Sequence, residues 1–121
     1  MSNVLDAFLR YVKIDTQSCE DAAGCPSTAK QLDLAKLLCD ELRALGAQDV
    51  LLDAHGYVTA AIPSNTGKPG PVIGLIAHMD TSDAVSGANV RPVITKHYGG
   101  GDIDMGNGYV LSPKQYPELE R

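Results

Sequence analysis

Residues 71–79 read PVIGLIAHM and are apolar at odd and even positions alike. This run narrows the possible fold more than any other stretch of the chain. A half-exposed strand alternates apolar and polar residues, whereas a strand covered on both faces is apolar throughout. The run therefore predicts a central strand with other elements packed above and below it. It ends abruptly in His78, Asp80 and Asp83. That ending is either the mouth of a site or a strand leaving the protein through a polar loop.

The flanking sequence supplies elements to build around such a strand. Ser2 is placed to cap a first helix whose face is Val4, Leu5, Phe8, Leu9 and Val12. DTQSCEDAAGCP, residues 15–26, is polar and bounded by Gly and Pro, so it reads as a loop. Residues 27–46 give the clearest helix. Thr28 and Gln31 fit a capping box, and Leu32, Ala35, Leu38, Cys39, Leu42 and Leu45 form an apolar stripe ending at Gly46. DVLLDA and YVTAAIP flank His55-Gly56 as two strands of a hairpin, and SNTGKPGP is a second turn region. RPVITKHY, residues 91–98, reads as a further strand, and GGGDIDMGNG, residues 99–108, as turns only. YVLSPKQYPELER resembles a helix entry, with Ser112 as cap and Pro113 at the first helical position. There is no internal repeat or low-complexity segment. Helices followed by strands of this kind predict an α/β layered sheet, and 121 residues suit one domain.

Charge and cysteine usage exclude several functions. Ten basic and fifteen acidic residues give a net charge of −5 with no basic run, which argues against nucleic acid or an anionic membrane surface as partner. No apolar stretch is long enough to span a bilayer. The first residues, MSNVLDAFLRYVKIDTQS, carry charges early and lack a small-residue cleavage site, so they read as a mature start rather than a signal peptide. With Cys19, Cys25 and Cys39 odd in number, the expectation is reduced thiols in the cytoplasm. The spacing of Cys19 and Cys25 fits neither a redox pair nor a common zinc knuckle.

One constellation carries chemistry. Residues two apart on a strand point the same way, so His78 and Asp80 share a face at the C-terminal end of the predicted central strand. Ligands gather at that end of open α/β sheets. A neutral imidazole there can bind zinc, and a carboxylate on its other nitrogen fixes the tautomer. The plainer reading is a polar strand exit, since one histidine cannot hold a catalytic zinc. His55, in a predicted turn, and His97, in a predicted surface strand, read as solvated histidines. Gly67-Lys68 lacks the spacing of a phosphate loop. There is no G-x-S-x-G elbow and no H-E-x-x-H motif, and no cysteine has a visible histidine partner. Asp102 and Asp104 lack the terminal glutamate of a calcium loop.

FLRYVKIDTQS near the start, PST opening the second helix, GLIAHMDTSD, SGANVRP, YGGGDI and VLSP occur in this order along nearly the whole chain. Together they resemble the N-terminal part of the co-catalytic zinc peptidases, the family that includes carboxypeptidase G and the aminoacylases. H-x-D-T marks only the broad family. HMDTSD with SGANVRP, GGDI and LSP is specific to its tripeptide aminopeptidase branch, the peptidase T enzymes.

The resemblance implies the N-terminal portion of a three-layer α/β/α catalytic domain with a mixed sheet over residues 1–121. It implies that His78 is a ligand to one of two zinc ions, and that Asp80 holds that imidazole and counts as catalytic. The bridging aspartate, the paired glutamates, a further carboxylate, a distant histidine and the inserted dimerisation domain of such enzymes have no counterpart here. The expectation is a fragment of a zinc-dependent enzyme that releases the N-terminal residue of short peptides, inactive alone, with a homodimer as the form that the resemblance implies for a full-length relative. A carboxypeptidase or deacylase of the same family, and a non-catalytic α/β binding module, stand as the alternatives.

Overall fold

The computed structural model describes residues 4–120, so the helix cap expected at Ser2 lies outside the described residues. Helix α1 spans Val4–Tyr11 and α2 spans Gln31–Ala44. Strands β1 (Gln48–Leu52) and β2 (Val58–Ala61) form one antiparallel pair. Strands β3 (Ile103–Gly106) and β4 (Tyr109–Leu111) form a second, separate pair. A 3-10 turn over Pro117–Glu120 follows. The architecture is mixed α/β, as the sequence predicts.

Helix α2 is the centre of the packed lobe. It buries Gln31, Leu34, Ala35 and Cys39 and lies against the β1–β2 hairpin. Ala35 and Cys39 of the expected stripe are buried, Leu34 joins them, and Leu45 is 75% exposed. Leu45 falls at the helix C-cap, beyond the last turn that faces the hairpin. The helix stops where Gly46 adopts φ +84. Ala47 N–H then donates to Leu42 C=O and Gly46 N–H to Arg43 C=O, both at 3.0 Å. These two bonds make a Schellman motif, which a residue without Cβ permits.

The capping box expected at the other end does not form. Thr28 Oγ1 donates instead to Gln17 C=O at 2.8 Å, and Lys30, already helical, takes the cap position with no side-chain capping bond. Gln31 Nε2 reaches back to Ser27 Oγ and Thr28 Oγ1 at 3.0 and 3.2 Å.

Helix α1 is tied to α2 through Glu41, which pairs with Arg10 at 2.6 Å and accepts from the Tyr11 hydroxyl. Its apolar face forms as expected but stays shallow. Leu5, Phe8, Leu9 and Val12 line an open groove with Val90 and residues 92–95.

Other expectations are corrected as well. Residues 71–79 do not form a strand; the run crosses the surface unpaired, with Leu75 95% and Ile76 100% exposed. A strand apolar on both faces needs neighbours on both edges and cover on both sides, and the described residues supply neither. Residues 91–98 are likewise no strand: 92–95 lie along the α1 groove, and the chain turns at His97, where φ is +53. The helix expected after Ser112 is only a turn. Gln115 and Tyr116 N–H donate to Ser112 C=O at 3.0 and 2.9 Å, and Pro117 then stops propagation, because it lacks an N–H and disfavours helical geometry at Tyr116.

Residues 99–108 hold more than turns, since Ile103–Gly106 is β3. Its hairpin turns on Asn107-Gly108, both with positive φ (+53 and +81). That is the type I′ turn that Asn-Gly favours.

Candidate functional site

His78 and Asp80 lie at the end of the unpaired apolar run. His78 Nδ1 stands 3.2 Å from Asp80 Oδ1, with the histidine side chain 85% exposed and the aspartate 44% exposed. A carboxylate accepts hydrogen bonds and does not donate, so in this contact Nδ1 is the donor. In the neutral ring Nε2 then keeps its lone pair, the form in which imidazole binds a metal.

The segment that follows this pair meets the loop from Asp15 to Glu20. Gln17 and Thr81 make an isolated parallel bridge. Thr81 N–H donates to Thr16 C=O at 3.2 Å, and Ser18 N–H donates to Thr81 C=O at 2.9 Å. Ser18 Oγ reaches the same carbonyl at 3.0 Å. Gln17 Nε2 donates to Asp83 C=O and Val85 C=O, each at 3.1 Å. Glu20 N–H approaches Asp83 Oδ2 at 3.4 Å. Asp83, which ends the apolar run's polar signature, thus serves the loop contact and not the histidine.

The loop is itself anchored to α2. Asp15 accepts from Lys30 Nζ at 2.9 Å and from Gln17 N–H at 3.0 Å. Lys30 first, and the Gln17 amide second, hold the Asp15 carboxyl below its ordinary value. Thr16, 3% exposed, is one of the buried polar residues. Gly87 packs against this junction so closely that an added Cβ would sit 3.0 Å from Asp15 Oδ1 and 3.2 Å from Thr81 Oγ1.

The remaining candidates are structural. Asp53 Oδ1 accepts from the His55 and Tyr57 amides at 2.9 and 2.8 Å and organises the β1–β2 turn. Those bonds, the Tyr57 amide foremost, hold its carboxyl below the usual range. His55 is the exposed corner of that turn, where its C=O accepts from Cys25 Sγ at 3.4 Å. His97 is exposed in its own turn. Asp104 Oδ1 accepts from Gly106 N–H at 2.8 Å inside the second hairpin. All three cysteines are free thiols, Cys39 buried and the other two exposed.

A cleft of about 970 Å³ runs between residues 75–80 and the β1–β2 hairpin, with Pro26 and Leu32 behind it, and His78 and Asp80 at its rim. Among the described residues, no group of three or more His, Cys, Asp or Glu side chains comes together to hold a metal. A catalytic zinc takes about three protein ligands. His78, with Nδ1 engaged and Nε2 open, fits as one of them. Among the described residues, the other donors do not gather around it to complete the set. No described helix is long and apolar enough to cross a membrane.

No protein-family profile matches the chain. It is 51% identical over 116 residues to the peptidase T of Shouchella clausii, a match covering 96% of this chain and 28% of that protein. It is 48% identical over 118 residues to the peptidase T of Listeria monocytogenes serotype 4b, covering 96% and 29%. With the peptidase T of Bacillus velezensis it shares 46% identity over 122 residues, covering 99% and 30%. The similarity therefore runs along nearly the whole chain, and the chain spans less than a third of the length of these relatives.

Proposed function

We propose that this chain is the part of a zinc-dependent tripeptide aminopeptidase that contributes one imidazole ligand, His78, and the carboxylate that orients it, Asp80. The observation that carries this reading is the 3.2 Å Nδ1–Oδ1 contact beside an exposed ring, in a chain 46–51% identical to enzymes named peptidase T. A zinc ion held in part by His78 would supply polarisation of a peptide carbonyl and activation of water. The residues of this chain do the preparatory work. Asp80 holds the hydrogen on Nδ1 and keeps the ring from rotating, and Nε2 presents its lone pair at the rim of the cleft. The other ligands and the general base come from sequence beyond this chain. The substrate is a short peptide with a free N-terminus, handled in the cytoplasm, and nucleic acid and membranes play no part.

The test is made on a complete protein that contains this sequence. With zinc supplied, it should release the N-terminal residue from tripeptides. His78→Ala should lower that activity at least a hundredfold, and Asp80→Ala should weaken metal affinity by about 10–100-fold, as loss of a ligand-orienting carboxylate does. A complete protein that cleaves N-acylated amino acids or C-terminal residues in place of tripeptides would move it to another branch of these hydrolases. One that cleaves none of them with zinc present would end the reading.

A further inference from the structure

Gln17 has no chemistry of its own and stands 61 positions before His78 in the chain. It nevertheless has more connections to the segment after the histidine than any other side chain described. Its carboxamide nitrogen donates to two carbonyls of that segment, Asp83 and Val85, at 3.1 Å each. Its backbone pairs with Thr81, the residue after Asp80. Its own amide donates to Asp15 and its carbonyl accepts from Thr28. Asp15 in turn is held by Lys30, and Thr28 and Lys30 both belong to the entry of α2. A continuous line of hydrogen bonds thus runs from the packed helix, through Gln17, into residues 81–85.

This line matters because the segment before it has no support. Residues 71–77 are unpaired and exposed, so the described segment leading into His78 gives it no backbone support. Both members of the His78–Asp80 contact are solvent-exposed, and an exposed pair of this kind contributes little to its own ordering. The geometry of the pair must be imposed from residue 81 onward.

We propose that Gln17 is a positioning residue for the His78–Asp80 pair. Its two carboxamide hydrogens pin the turn after Thr81, which holds the Asp80 backbone where its side chain meets Nδ1. The inference rests on the role assigned above to His78 and Asp80. Its test reads the ring itself and needs no activity.

The chain has three histidines, His55, His78 and His97, so ¹⁵N-histidine labelling gives three ring patterns, and His78→Gln identifies the relevant one. In the wild-type chain, in dilute solution and at a pH alkaline enough for all three rings to be neutral, His78 should carry its hydrogen on Nδ1, the nitrogen that meets Asp80. Gln17→Met keeps the side-chain length and removes both donors. It should move the His78 ring to the tautomer mixture of a free imidazole and leave His55 and His97 unchanged. Amide exchange over residues 81–86 should accelerate about 5–30-fold, the effect of losing one or two net hydrogen bonds, with α2 unaffected. Gln17→Asn, too short to reach both carbonyls, should give the same tautomer shift and serves as the readout if the methionine variant does not fold.

A His78 ring pattern unchanged in a folded variant would overturn the proposal, even if exchange in the loop increased. That result would make Gln17 a loop anchor alone. A wild-type ring with its hydrogen on Nε2 would overturn it as well. Neither outcome bears on whether the complete enzyme cleaves tripeptides, so the two readings fail separately.

Discussion

Asp15 illustrates how much a single half-buried carboxylate can organise. It receives Lys30 and the Gln17 amide, and both favour its ionised form. Glu41 is similarly held low, by the Tyr11 hydroxyl first and Arg10 second, and Asp53 by the turn amides. A carboxyl whose folded-state pKa is depressed contributes stability above its ordinary value and loses it as pH falls through the folded value. Thermal stability should therefore be flat from neutral pH down to the ordinary carboxylate range and decline below it. Asp15→Asn should remove part of that acid-side slope, as followed by melting temperature against pH. A slope unchanged in the variant would show that Asp15 is not a coupled site. Gly87 gives a second expectation at this scale. An alanine there meets Asp15 and Thr81 at 3.0–3.2 Å, so Gly87→Ala should cost about 1 kcal/mol in urea unfolding, at the low end for overpacking. It should also raise amide exchange at residues 81–86.

At the scale of elements, the local signals were readable where they needed no distant partner. The helix ending at Gly46 and the hairpin turning at His55-Gly56 both form where their sequences indicate, because Gly supplies the positive φ each requires (+84 and +88). Gly56→Ala should destabilise the hairpin by about 1–2 kcal/mol from backbone strain alone, measured by urea unfolding. The new Cβ would also touch Pro26 and Leu32 at 3.4–3.5 Å. The Asn107-Gly108 hairpin was not read, because the glycines around it give the stretch the composition of turns alone. Elements that depend on remote neighbours could not be placed this way. The 71–79 run has a clear strand composition and no strand to pair with, and residues 92–95 settle against α1 instead of in a sheet. Of the site, the His78-x-Asp80 spacing was legible. The role of Gln17 was not, because its partners are 66 and 68 residues away and no local pattern announces them.

For the whole molecule, the balance between core and surface is decisive. Among described residues the buried apolar core is Leu34, Ala35 and Cys39, while Val72, Ile73, Leu75 and Ile76 are each more than 80% exposed. An exposed, uncharged, β-prone run with free backbone donors and acceptors is a template for pairing with another chain. The 121-residue chain should accordingly self-associate as concentration rises. Ile73→Lys with Ile76→Lys should shift sedimentation toward monomer without altering the helical circular dichroism. Sedimentation identical in the double variant would exclude this run as the contact.

The bridge between Gln17 and Thr81 also has a consequence in time. It joins residues more than sixty positions apart, and closing so long a loop is entropically costly and slow compared with forming a helix or a tight hairpin. The half of the clamp that contains Gln17 leaves the ribosome well before the half that contains Thr81, and the α2–hairpin lobe lies between them in sequence. That lobe can be folded and waiting when residue 81 arrives. The histidine motif then acquires its shape as one of the last events of folding, on a surface already made.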